Sequence, residues 1–204
     1  VRITPHLAQI NSNKTERIKM SMINSIAAEL ITSDWLNTDT AISLQSLRGK
    51  VVLLHSFQML CPACVTHGLP QASAVRNAFS QQELAVIGLH TVFEHHNAMG
   101  KEALKAFIHE YRLRFPIAID MSDPFSGIPL SMQKYGLRGT PSILLIDRQG
   151  RIRFHHFGHI DDLKLGSMLG QLVAETDATE ELVSANQGKP KQAVGCNEDS
   201  CSLS

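Results

Sequence analysis

Two cysteines lie two residues apart in "SFQMLCPACVTHG" (residues 56–68), and two more lie in "GCNEDSC" near the C-terminus. Close thiol pairs do one of two things. They hold a soft metal ion, or they make and break disulfides. Four sulfurs in two pairs would suit one structural zinc site, so Cys61, Cys64, Cys196 and Cys201 leave both chemistries open at first sight.

The surroundings of Cys61 favour disulfide exchange. The apolar, β-branched run "VVLLHSF" (51–57) follows the turn signal "LRGK" and reads as a buried strand. After Cys61 the apolar residues Val65, Leu69, Ala72, Val75 and Phe79 recur at helical spacing, so the pair opens a helix. Pro62 suits a first helical turn, and Pro70, further in, predicts a kink. A helix N-terminus offers unpaired N–H groups and the positive end of the macrodipole, which stabilise the attacking thiolate. Cys61 is then the exposed nucleophile, and Cys64, one turn on, is the resolving thiol. Zinc fits less well: the second pair has a four-residue spacer in a polar stretch, and the first sits on a helix rather than a turn.

The elements that must position these thiols follow along the chain. "LAVIGLHTV" (84–92) predicts a strand, and Leu104, Phe107, Ile108 and Tyr111 predict a helix ending near Leu113. "FPIAID" (115–120) predicts a strand, followed by a loop and a short helix near 129–136. "SILLID" and "RIRFHHF" flank "DRQG" as a hairpin, and Leu165, Met168, Leu169 and Leu172 mark a closing helix. The alternation implies an α/β domain, a mixed sheet covered by helices, over residues 23–175. Residues 1–22 read as an N-terminal extension, and 176–204, polar and aperiodic, as a flexible tail carrying the C-x-x-x-x-C pair.

Taken together, "ISLQSLRGKVVLLHSFQMLCPAC" and "YGLRGTPSILLIDRQGRI" resemble the thioredoxin-like superfamily, in its TlpA-type and redoxin (AhpC/TSA-like) branch, over about residues 35–175. The resemblance implies a thioredoxin-like fold, with a central mixed sheet flanked by helices on both faces, and thiol-disulfide oxidoreductase activity. It implies a cis Thr140–Pro141 bond packed against the cysteine pair, with Thr140 and Pro62 facing the substrate. It implies no cofactor beyond the Cys61–Cys64 disulfide, a protein or small-molecule disulfide as substrate, and an external thiol as electron donor. His55, six residues before Cys61, stands where relatives often carry a buried acid or amide. It is the candidate proton acceptor for Cys64, against the alternative of a core histidine. Leu60 replaces a Trp common in the family, and the Pro62–Ala63 spacer is neither Gly-Pro nor Pro-His.

Other readings compete. A peroxidase would carry Thr three residues before the reactive cysteine, where this chain has Gln58. A copper or zinc carrier would use the thiols with some of the ten histidines. His155 and His156 alternate along a strand and would face opposite ways, whereas His90, Glu94 and His95 fall near the sheet edge where ligands gather. Cys196 and Cys201 are inert, a metal clip, or an accessory redox pair. A linker of about 20 residues spans roughly 25 Å, enough to reach an active site.

Nineteen basic and nineteen acidic side chains cancel, which excludes a global field for nucleic acid or an anionic membrane. The longest apolar runs are too short to span a bilayer. "VRITPHLAQINSNKTERIKM" has no continuous apolar segment of a secretory signal, so the expected location is cytoplasmic, or periplasmic if a leader precedes it.

Overall fold

A computed structural model describes residues 22–175. Six strands form one sheet: β1 (Thr32–Leu36), β2 (Val51–Phe57), β3 (Leu84–His90), β4 (Ile117–Asp120), β5 (Ser142–Ile146) and β6 (Ile152–Phe157). Their spatial order is β1-β4-β3-β2-β5-β6. β2, β3 and β4 run parallel, while β1, β5 and β6 pair antiparallel with their neighbours. The helices are α1 (Leu69–Ala78), α2 (Lys101–Glu110), α3 (Leu130–Lys134) and α4 (Asp162–Ala174).

β2 is central, and all seven of its residues are buried. Alternation therefore divides the core in two. Val51, Leu53 and Phe57 pack with Leu69, Ala72 and Val75 of α1, Leu104 and Ile108 of α2, and Leu165, Leu169 and Leu172 of α4. Val52 and Leu54 face the other way, against Met132 of α3, Tyr135 and the chain around Leu44. The expected mixed sheet with helices on both faces is the fold observed.

Three local outcomes refine the sequence reading. The helix expected to end near Leu113 stops at Glu110, because Arg112 takes a left-handed conformation (φ 50°) and the chain turns toward β4. β1 has no counterpart in the sequence reading. Its residues, TSDWL, are polar or only half-buried, and it joins the edge of the sheet through backbone pairing with β4. The kink expected at Pro70 takes the form of a π turn, Cys64–Gly68, in which the Leu69 N–H bonds to the Cys64 carbonyl. Proline has no N–H to give, and its ring collides with a carbonyl four residues back in a regular helix. An extra residue in the preceding turn relieves both constraints.

A buried carboxylate ties the far half of the sheet to α3. Asp120 accepts hydrogen bonds from Thr91 Oγ1 (2.9 Å), the Ser131 N–H (2.8 Å) and the Met132 N–H (3.0 Å). Burial raises its pKa, and these same hydrogen bonds act against that rise. Replacing Asp120 by Ala leaves three buried donors without an acceptor. We expect it to lower stability by about 2–4 kcal/mol in urea unfolding, with Asp120→Asn milder.

Candidate active site

The strand that carries His55 ends at Phe57, and the chain then crosses the sheet edge to Cys61. Gln58 pins this crossing: its buried side-chain oxygen accepts the Phe93 N–H (3.2 Å), and its carbonyl accepts the Cys61 N–H (3.3 Å). Cys61 starts the first helical turn, with its carbonyl accepting the Val65 N–H (3.1 Å). Cys61 and Cys64 are joined in a disulfide, with Cα atoms 5.2 Å apart. The Cys64 N–H points at Cys61 Sγ (3.2 Å). A helix-end N–H aimed at this sulfur stabilises a thiolate there once the bond is reduced.

Access separates the two sulfurs. Cys64 is completely buried in the α1 side of the core, whereas Cys61 is only partly covered. Pro62 and Ala63 are exposed between them, and Leu60 is 56 % exposed beside them. Opposite lies the loop before β5. The Thr140–Pro141 peptide is cis, and the Thr140 carbonyl oxygen lies 3.5 Å from Cys61 Sγ. The loop is held from both sides: the Gly158 N–H donates to the Pro141 carbonyl (2.8 Å) and Ser142 Oγ donates to the Gly139 carbonyl (2.7 Å). Cys61, Cys64, Thr140 and Pro141 are thus brought together from two strands that pair antiparallel.

His55 lies beneath this assembly. It is 1 % exposed, and an added Cβ on Gly68 would sit 2.6 Å from its Cε1, 2.8 Å from its Nε2 and 3.3 Å from the Pro141 Cβ. The imidazole therefore fills the space between the π turn that contains Cys64 and the cis-proline. Burial holds its pKa down at about 4, so it is neutral at pH 7, and its Nε2 has no hydrogen-bond partner. His90 repeats the pattern at the end of β3. Its ring centroid is 5.3 Å from that of Phe57, burial holds its pKa at about 4, and its Nε2 is also unpartnered. Glu94 and His95 are exposed on the following loop. His155 is buried and His156 half-buried, as the alternation along β6 requires. Among the described residues no three His, Cys, Asp or Glu side chains group as metal ligands would. Cys196 and Cys201 lie outside the described residues.

Gly68 was not singled out from sequence, although a glycine inside a helical pattern is a signal of close approach. Its backbone is ordinary helix (φ −64°, ψ −48°), so its need is for space. Helix propensity favours Ala there by up to ~1 kcal/mol, but the clash with the buried His55 ring costs roughly 1–3 kcal/mol. We expect Gly68→Ala to destabilise the protein by about 1–2 kcal/mol, and to become neutral or stabilising in a His55→Ala background. A double-mutant cycle by denaturant unfolding checks this, and zero coupling contradicts the packing described.

The AhpC/TSA family model matches residues 26–155 of this chain. The chain belongs to the AhpC/TSA family. A solved structure of the thioredoxin-like superfamily protein SPOA0173 is 50 % identical, with a TM-score of 0.72 over 74 % of this chain and 97 % of that one. That of a thiol-disulfide isomerase from Corynebacterium glutamicum is 49 % identical, with a TM-score of 0.72 over 75 % of this chain and 98 % of that one. The thiol-disulfide oxidoreductase ResA of Halalkalibacterium halodurans is 29 % identical over 119 residues, which is 58 % of this chain and 60 % of ResA. Against the DipZ protein of Mycobacterium bovis, 32 % identical over 142 residues, the chain spans 19 % of the relative's length. This AhpC/TSA member is thus a thioredoxin-like redoxin related to thiol-disulfide oxidoreductases.

Proposed function

We propose that the protein exchanges disulfides with protein substrates through Cys61 and Cys64. The carrying observation is the contrast between a partly open Cys61 at a helix start, bonded to a fully buried Cys64, and the cis-Pro141 loop against the same sulfur. In the reducing direction the Cys61 thiolate attacks one sulfur of a substrate disulfide. A mixed disulfide forms and the first substrate thiolate leaves. Cys64 gives up its proton and attacks Cys61 Sγ, which releases the second substrate thiolate. The substrate gains two electrons, and the Cys61–Cys64 disulfide is restored to dithiol by an external thiol donor.

The other residues have assignable roles in this scheme. Thr140 and Pro62 border Cys61 and receive the substrate chain, with exposed Leu60 adding an apolar contact. His55 is a neutral imidazole with an open nitrogen under the turn that bears Cys64, and we assign it, as the candidate acceptor for that thiol, a hydrogen bond that orients the Cys64 S–H, the proton itself passing to the departing substrate thiolate. A peroxidase reading draws less support: Gln58, three residues before Cys61, already spends its side-chain oxygen on the Phe93 N–H.

The test is a Cys64→Ser variant used as a trap. Mixed disulfides through Cys61 with protein partners are the expected result. No trapped partner, together with steady consumption of hydrogen peroxide by the native protein, would overturn the proposal.

A further inference from the structure

The far end of the domain from the cysteines carries a concentration of positive charge that disulfide exchange does not use. Three clefts adjoin there, of about 630, 310 and 230 Å³, and Arg114 lines all three. Arg112 lines the first and third, and Arg76 the second and third. Lys105 borders the first and Lys50 the second. Among the described residues no Asp or Glu lines any of the clefts, and no ion pair engages Arg76, Arg112 or Arg114. In a chain whose formal charge is zero, this clustering is local.

Cations at helix C-termini have an ordinary explanation. Arg76 lies in the last turn of α1, and Arg112 just follows α2, where they offset the negative ends of two macrodipoles. The magnitudes do not match. Two helix ends carry about −0.5 charge each, so together they balance about one of the three guanidiniums. Roughly two positive charges from the arginines alone remain, before Lys50 is counted.

The lining supplies more than charge. Ser73 and Asn77 offer hydrogen-bonding groups in the smallest cleft, and Leu47, Leu84 and Ile87 give the second an apolar floor. We propose that Arg76, Arg112 and Arg114 form a binding site for a phosphorylated small molecule, with its phosphates among the guanidiniums and its less polar part toward that floor. Guanidinium groups meet phosphate oxygens through paired, charge-assisted hydrogen bonds, which single lysines cannot reproduce. Arg76 is about 18 Å along the helical path from Cys64 at the ordinary rise per residue, so the site is separate from the thiols.

ADP titrated into the full chain by calorimetry at low salt is the test, with inorganic pyrophosphate as competitor. Saturable binding of ADP, displaced by pyrophosphate and weakened at least tenfold by Arg114→Gln, is expected. Asn77→Asp puts a carboxylate into the smallest cleft from an exposed helical position and should weaken binding as well. Lys164→Gln, on α4, should leave it unchanged, and all three variants should keep their disulfide exchange. The proposal fails if ADP does not saturate, if pyrophosphate does not compete, or if Lys164→Gln weakens binding as much as Arg114→Gln. It also fails if phosphatidic acid vesicles bind the chain while ADP does not.

Discussion

A Cys61→Ser variant is expected to lose disulfide exchange by at least about three orders of magnitude, the scale on which enzymes respond to removal of a nucleophile. Cys64→Ser should behave differently. It should react once, releasing one equivalent of substrate thiol, and then stall as a mixed disulfide. The difference follows from access: Cys64 is completely buried, so a protein disulfide reaches Cys61 first. It follows also from charge, because the Cys64 N–H, at the start of the helix, points at Cys61 Sγ. Stopped-flow measurement of thiol release separates the two variants. A single-turnover burst from Cys61→Ser and none from Cys64→Ser would reverse the assignment of nucleophile and resolving thiol.

Acid should unfold this protein more readily than a typical domain of its size, and His55 and His90 are the reason. Each has its folded-state pKa lowered to about 4 by burial, against an ordinary value of 6.5. Above pH 6.5 both states hold a neutral imidazole, and these groups make no pH-dependent contribution. As pH falls from 6.5 toward 4, the unfolded chain takes up protons that the folded chain refuses, and stability declines. At 1.36 kcal/mol per unit, the full loss is about 3 kcal/mol for each histidine. Two such losses are comparable with the 5–15 kcal/mol total stability of ordinary domains. Urea unfolding at pH 7.5 and pH 4.5 measures the effect. In a His55→Leu, His90→Leu variant the acid loss should shrink by several kcal/mol, at little cost near neutrality, since neither Nε2 has a partner to lose. An unchanged pH dependence would show that the two rings are not held neutral by burial.

How much of this was legible beforehand varied with the kind of interaction involved. β2 was read at its observed limits, because a run of seven buried residues bounded by a turn signal leaves little ambiguity. The hairpin β5–β6 was equally clear from two apolar runs around "DRQG". β1 was not. Its pairing with β4 is made by backbone groups, and side chains such as Ser33 and Asp34 carry no periodic signal. The π turn was half legible: Pro70 announced a break in the helix, but where the extra residue went depended on what lay underneath.

By itself, the sequence determined the chemistry available: two thiols one helical turn apart after a buried strand, a histidine within that strand, and a proline that terminates a later loop. Those are consequences of residue type and local periodicity, which act within one element. Tertiary structure alone decided which of these groups meet. The antiparallel pairing of β5 with β2 puts the Thr140 carbonyl against Cys61, and the absence of a side chain at Gly68 lets His55 fill the gap below. It also decided that the His55 and His90 imidazoles are neutral and that Arg76, Arg112 and Arg114 share one set of clefts. Burial and charge clustering are sums over neighbours distant in the chain, so they have no local signature for a sequence to display.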